Sequence, residues 1–142
     1  TWMATIGTPP TGFAAAWAAV RDGRDAAIAR VRETMAAGTP PTGASLDAAA
    51  RDVIVARGFG EWFVHRTGHS IDRTGLHGAG PHLDSVETRE ERRLMPGVLF
   101  SVEPGIYLPG RFGIRSEVNV LVAADGRVQV TPATYQHEAL AL

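Results

Sequence analysis

The sequence has 142 residues, 44% hydrophobic and 20% charged, with a formal net charge of −1 at pH 7. These are the proportions of an ordinary globular domain, and without a basic stripe interleaved with aromatics they exclude nucleic acid as a partner. No apolar stretch approaches the ~20 residues of a bilayer span, no basic-then-apolar leader is present, and cysteine is absent, so the chain is expected to be cytoplasmic and any metal to be held by histidine and carboxylates.

Thr1 to Ile6 is short and β-branched and stops at Gly7-Thr8-Pro9-Pro10, which predicts an incoming strand. From Gly12 to Ala37, Phe13, Trp17, Val20, Ile28, Val31 and Met35 recur mostly by threes and fours, the spacing of a helix with one apolar face. Gly38-Thr39-Pro40-Pro41 ends it. A second helix is expected from an N-cap at Ser45, with Leu46, Ala49, Val53 and Ile54 as its stripe and Gly58 and Gly60 at its close. After Gly60 the runs shorten and become β-branched or aromatic. Trp62–His65, Val98–Glu103, Ile106–Leu108, Val118–Ala123 and Val128–Thr131 read as strands bounded by Gly, Pro or the Ala124-Asp125-Gly126 turn. Two helices followed by strands predict an α+β domain, helices packed on a curved, mostly antiparallel sheet, with no boundary inside 1–142.

Four of the five histidines, His65, His69, His77 and His82, fall close together. Imidazole is a frequent metal ligand and a proton carrier near neutral pH. His82 and the distant His137 are read as packing or surface residues; His65, His69 and His77 are read as a site. His65 and His69 stand four apart, as in a helical zinc motif, but Thr67 and Gly68 disfavour a helix and a loop fits better.

Glu103 falls in the otherwise apolar run Phe100–Tyr107, where a carboxylate needs a partner or a metal. Pro104 and Gly105 end the strand directly after it. Arg115 and Glu117 lie two apart and so share a strand face. With Glu103 and Glu117 on neighbouring strands, two carboxylates would converge on one cavity with Arg115 nearby, an arrangement that calls for positive charge such as paired metal ions.

Four runs occur in one order: the Thr67-Gly68-His69 loop with His77 beyond it, Leu94-Met95-Pro96-Gly97, Phe100-Ser101-Val102-Glu103-Pro104-Gly105-Ile106-Tyr107, and Gly113-Ile114-Arg115-Ser116-Glu117. Together they resemble the Xaa-Pro dipeptidases and aminopeptidases P, metallopeptidases of the pita-bread (creatinase/aminopeptidase) fold. The likeness covers nearly the whole chain and implies that residues 1–142 are the C-terminal part of the catalytic domain. It implies that His69, Glu103 and Glu117 are metal ligands, with Glu117 bridging two ions and Glu103 also exchanging a proton with the attacking water. His65 resembles the histidine lining the substrate pocket, and His77 the one steadying the scissile carbonyl. Arg115 resembles the arginine that supports the ligand strand and the substrate end. Arg66 and Asp72 stand where the family usually carries small residues.

The implied activity is hydrolysis of Xaa-Pro bonds in dipeptides or longer peptides, by a water activated between two divalent ions (manganese, cobalt or zinc), in a homodimer. The family's other two ligands are aspartates upstream of the run matching Thr1-Trp2, and Asp22 and Asp25, on a predicted helix, do not replace them. Activity is therefore expected to need an upstream segment. Of a truncated form and a nicked protein that keeps its N-terminal fragment, the second is favoured, because the edge of Thr1–Ile6 would otherwise be unpaired. Two alternatives remain: a methionine-aminopeptidase-like enzyme on the same fold, and a non-catalytic module that binds peptides or proteins. The Gly113–Asn119 run fits the proline group better than the first, and His69, His77, Glu103 and Glu117 speak against the second.

Overall fold

The computed structural model describes residues 1–142, and its elements come in the predicted order, helices first and most strands after. A two-residue strand, β1 (Ala4–Thr5), precedes helix α1 (Phe13–Ala36). Phe13, Trp17, Val20, Ile28 and Val31 are all buried, so the spacing by threes and fours does form one apolar face. Helix α2 (Gly43–Ala56) packs against α1 and buries Leu46, Ala50 and Ile54.

The N-cap of α2 is Thr42, not the expected Ser45. The Thr42 hydroxyl accepts the Ser45 amide at 3.2 Å, and the Ser45 hydroxyl donates back to the Thr42 carbonyl at 2.7 Å. Both residue types suit a cap; the extended backbone at Thr42 (φ −81°, ψ 157°) decides which one serves. Nor is Trp62–His65 the expected strand. Gly60–Trp62 forms one turn of 3₁₀ helix, and the carbonyls of Phe63 and His65 accept from Arg51 at 2.9 Å each. A guanidinium from α2 takes the acceptors that a ladder would have used.

The remaining strands are β2 (Ser70–Ile71), β3 (Leu99–Val102), β4 (Gly105–Leu108), β5 (Phe112–Arg115), β6 (Val118–Val122), β7 (Val128–Thr131) and β8 (Leu140–Ala141). Strands β2-β3-β6-β7 form an antiparallel sheet, and β4 and β5 an antiparallel hairpin. β1 pairs in parallel with β8, so the edge expected to stand open at Thr1–Ile6 is occupied at Ala4 and Thr5. One core lies between the helices and the four-stranded sheet, around Ile28, Leu46, Phe100 and Val120. A second joins the start of α1 to the β4–β5 hairpin, through Phe13, Trp17, Ile106 and Ile114. No helix is long and apolar enough to cross a membrane.

β3 pairs with β6 as far as Val102 opposite Val118, and β4 with β5 from Gly105 opposite Arg115. The two ladders keep one register. The positions left between them are therefore Glu103 opposite Glu117 and Pro104 opposite Ser116.

Thr42→Ala removes the hydroxyl that caps α2 and is expected to cost about 1 kcal/mol. Urea titration should show a lower midpoint at unchanged slope.

Candidate active site

Pairing lapses where the ladder meets Pro104, which has no N–H to donate; the Ser116 amide still reaches the Pro104 carbonyl at 3.3 Å. A pocket of about 400 Å³ opens there. His65, His69, His77, Glu103, Arg115 and Glu117, the six residues picked from the sequence, all line it, together with Arg66, Leu76 and Glu87.

His69 sits in a loop that runs hard against β3. A Cβ on Gly68 would lie 1.9 Å from the Ser101 carbonyl oxygen, so only glycine permits the approach. The close approach lets the His69 amide donate to the Ser101 hydroxyl at 3.0 Å, while the Ser101 amide donates to the His69 carbonyl at 2.9 Å. On the ring, Nδ1 donates to the Ser70 carbonyl at 3.0 Å. Nε2 faces the pocket, 3.3 Å from Glu103 Oε1.

Glu103 follows β3, its amide fixed to the Thr67 carbonyl at 2.7 Å. Its Oε1 accepts from the Ser101 hydroxyl at 2.9 Å, and its Oε2 lies 3.3 Å from Arg115 Nη1. Glu117, across the gap, accepts from the Thr1 hydroxyl.

His69 Nε2 and Glu103 Oε1 thus lie 3.3 Å apart, with a second carboxylate, Glu117, opposite Glu103 in the register. Like charges directly across an antiparallel ladder repel. Imidazole and carboxylate oxygen together are a donor set that suits a divalent cation such as manganese, cobalt or zinc. Glu117 is turned to Thr1, and no three His, Asp or Glu side chains close into one group as they stand.

His65 is tied into a chain of donors. Arg115 Nε donates to the Tyr107 hydroxyl at 2.8 Å, that hydroxyl meets His65 Nε2 at 3.0 Å, and His65 Nδ1 donates to the Arg66 carbonyl at 2.7 Å. Burial lowers the His65 pKa and Arg115 adds to the effect, although the Arg66 carbonyl pulls the other way, so the ring is neutral and accepts from Tyr107. A Cβ on Gly105 would come within 2.6 Å of the Tyr107 hydroxyl, which is why Gly follows Pro104. His77 is the opposite case. It is exposed, hydrogen-bonds to nothing in the chain, and touches His69 edge-on with ring centroids 4.4 Å apart. His82 accepts the Ser70 amide at 3.0 Å and packs behind the loop, outside the pocket lining. Asp22 and Asp25 pair with arginines on or beside the helices.

Three supports went unread in the sequence. Buried Asp47 accepts from the Thr67 amide at 2.8 Å and from its hydroxyl at 2.7 Å, and Arg51 both pairs with Asp47 and holds the 63–65 carbonyls. Tyr107 links His65 to Arg115. The available signal was an acid and an arginine four apart beside the apolar stripe of α2.

The sequence profile of metallopeptidase family M24 matches residues 1–124. A probable dipeptidase, PepE, of Mycobacterium tuberculosis is 37% identical over 133 residues, 93% of this chain and 32% of that protein. The crystal structure of dipeptidase PepE from Mycobacterium ulcerans superposes with a TM-score of 0.80 at 37% identity, over 97% of this chain and 34% of that one. A solved Xaa-Pro dipeptidase from Bacillus anthracis gives 0.82 at 31% identity, over 98% of this chain and 36% of that one. These similarities bear out the α+β pita-bread fold expected from the motifs. The chain spans about a third of the length of the relatives it matches.

Behind His77, the loop is pinned by an ion pair. Arg92 donates to the Ala79 carbonyl at 2.8 Å and the Gly80 carbonyl at 3.3 Å, while Glu90 takes the Arg92 guanidinium and the His82 amide. Those contacts bring the Glu90 carboxyl from its ordinary 4.5 down to about 2, the hydrogen bond from Arg92 outweighing burial. The unfolded chain takes up that proton near 4.5 and the folded protein only near 2. Ionised Glu90 therefore stabilises the fold above pH 4.5, and the contribution is lost as pH falls from 4.5 to about 2. A carboxyl NMR titration should place the Glu90 midpoint near 2, and Glu90→Gln should flatten the stability curve across that window.

Proposed function

Because this chain belongs to metallopeptidase family M24, we propose that it forms part of an enzyme that hydrolyses Xaa-Pro bonds in dipeptides or short peptides. The observation that carries the reading is that His69, Glu103 and Glu117 line one pocket, with His69 Nε2 3.3 Å from Glu103 Oε1. The named similarity to Xaa-Pro dipeptidases supports the substrate class.

In this reading His69 Nε2, Glu103 and Glu117 hold divalent ions, two in the complete site. The ions supply a lowered pKa for an attacking water and polarise the scissile carbonyl. The chain's own residues do the rest. Ser70 fixes the His69 ring so that Nε2 faces the pocket, and Ser101 with Arg115 sets the direction of the Glu103 carboxylate, which takes up the proton of the attacking water. His77 has both ring nitrogens free of protein partners, and its edge donates to the carbonyl oxygen as charge develops there. The nitrogen of an Xaa-Pro bond carries no N–H, so a site shaped for the ring and lacking an acceptor at that point selects it. His65, already engaged by Tyr107, lines the pocket as a neutral wall.

The remaining ligands, two aspartates, belong in this reading to sequence outside residues 1–142, which make up the C-terminal part of the catalytic domain. The same reading takes the enzyme to be a cytoplasmic homodimer, with manganese, cobalt or zinc as its metal.

The full-length protein, loaded with manganese, should cleave Xaa-Pro dipeptides or longer Xaa-Pro peptides and lose that activity on chelation; cleavage of neither overturns the proposal. His77→Ala should lower kcat by about 10²–10³-fold with little change in KM, read from initial rates.

A further inference from the structure

Arg24 is the largest side chain in the molecule that solvent does not reach. A buried guanidinium is expensive, and an apolar residue of similar volume in its place is commonly neutral or stabilising. Its carboxylate partner is the half-exposed Asp25, 2.8 Å from Nε. Core filling alone does not account for the choice of residue.

The guanidinium does reach two acceptors that no apolar side chain could hold. Nη1 donates to the Ser116 hydroxyl at 2.6 Å and to the Gln136 carbonyl at 2.7 Å, while the cation lies 4.6 Å over the Tyr135 ring. Ser116 stands between Arg115 and Glu117. Both neighbours line the pocket, and strand alternation turns the Ser116 side chain the other way, into α1. The chain there belongs to neither β5 nor β6. Its backbone is held by long bonds, the Ser116 amide to the Pro104 carbonyl and the Glu117 amide to the Thr1 carbonyl, each 3.3 Å, and the Thr1 nitrogen to the Glu117 carbonyl at 3.4 Å. The Arg24–Ser116 bond is shorter than any of them.

The second contact leads to the same place. Gln136 brackets Met3, its side-chain oxygen accepting the Met3 amide and its nitrogen donating to the Met3 carbonyl, both at 2.6 Å. Two residues before Met3, the Thr1 hydroxyl donates to Glu117. One cation thus ties down Glu117 from behind, through Ser116, and from the flank, through Gln136 and Met3.

We infer that Arg24 is a positioning residue for the pocket: it fixes the Arg115–Glu117 segment across the break between the two ladders and so aims the Glu117 carboxylate and the Arg115 guanidinium. The link to catalysis rests on the metallopeptidase reading above; the positioning itself does not. Outer partners of ligand residues commonly change metal affinity about 10–100-fold when removed.

The test uses Arg24→Met, which fills the volume without donors, Ser116→Ala, which leaves α1 intact, and Arg24→Lys, which keeps a donor. In the full-length protein, amide exchange at Ser116 and Glu117 should quicken at least about tenfold in the first two variants, at unchanged exchange along α1. Arg24→Lys should recover much of the protection. Manganese affinity by calorimetry should fall about 10–100-fold in parallel, and Arg24→Met with Ser116→Ala together should lose little more than Arg24→Met alone. Wild-type exchange at 116 and 117 overturns the inference, including the case where only the melting temperature drops, which marks a core filler. Should the wild type neither bind metal nor cleave Xaa-Pro peptides, the functional proposal falls, and the exchange rates still decide the role of Arg24.

Discussion

Glu103 and Glu117 face each other across a break in an otherwise continuous antiparallel register. Two carboxylates in that relation repel, and the surrounding structure can be understood as the means of holding them there. Arg115 and the Ser101 hydroxyl take the two oxygens of Glu103. The Thr1 hydroxyl takes Glu117, and the imidazole of His69 turns Nε2 toward Glu103. What results is a pocket wall rich in acceptors, with Arg115 beside Glu103 and a place for added positive charge.

Holding that wall requires order in loops, which have no ladder of their own. The close approach at Gly68 lets the Thr67 and His69 carbonyls accept from the Glu103 and Ser101 amides, and Asp47 and Arg51 reach out of α2 to take the Thr67 amide and the carbonyls of Phe63 and His65. Because α2 is buried on its other face, the loop inherits the rigidity of the helical layer. His77 is left outside this scheme. It stands on the loop between β2 and β3, where the neighbouring Gly78 amide donates to the Ser70 carbonyl at 2.7 Å, but its exposed imidazole hydrogen-bonds to no group of the chain.

Local chemistry in the sequence was enough to determine the two helices, the strands β3, β4, β6 and β7, the absence of thiolate ligands and six of the nine residues that line the pocket, but not β5 or β8. Periodicity reports burial directly, and an acid in an apolar run reports a site, because either pattern is costly without its structural reason. The motif order also pointed to the family. Tertiary structure alone decided the rest. Which of two hydroxyl residues caps α2 depends on backbone angles at Thr42. Whether Trp62–His65 joins a sheet depends on Arg51, a residue from another element that claims its carbonyls. The opposition of Glu103 to Glu117 depends on a register kept through a gap, and the roles of Asp47, Tyr107 and Arg24 depend on partners distant in sequence or on another element. Such contacts leave no periodic trace along the chain: each is set by where two elements cross, and that crossing exists only once the cores have formed.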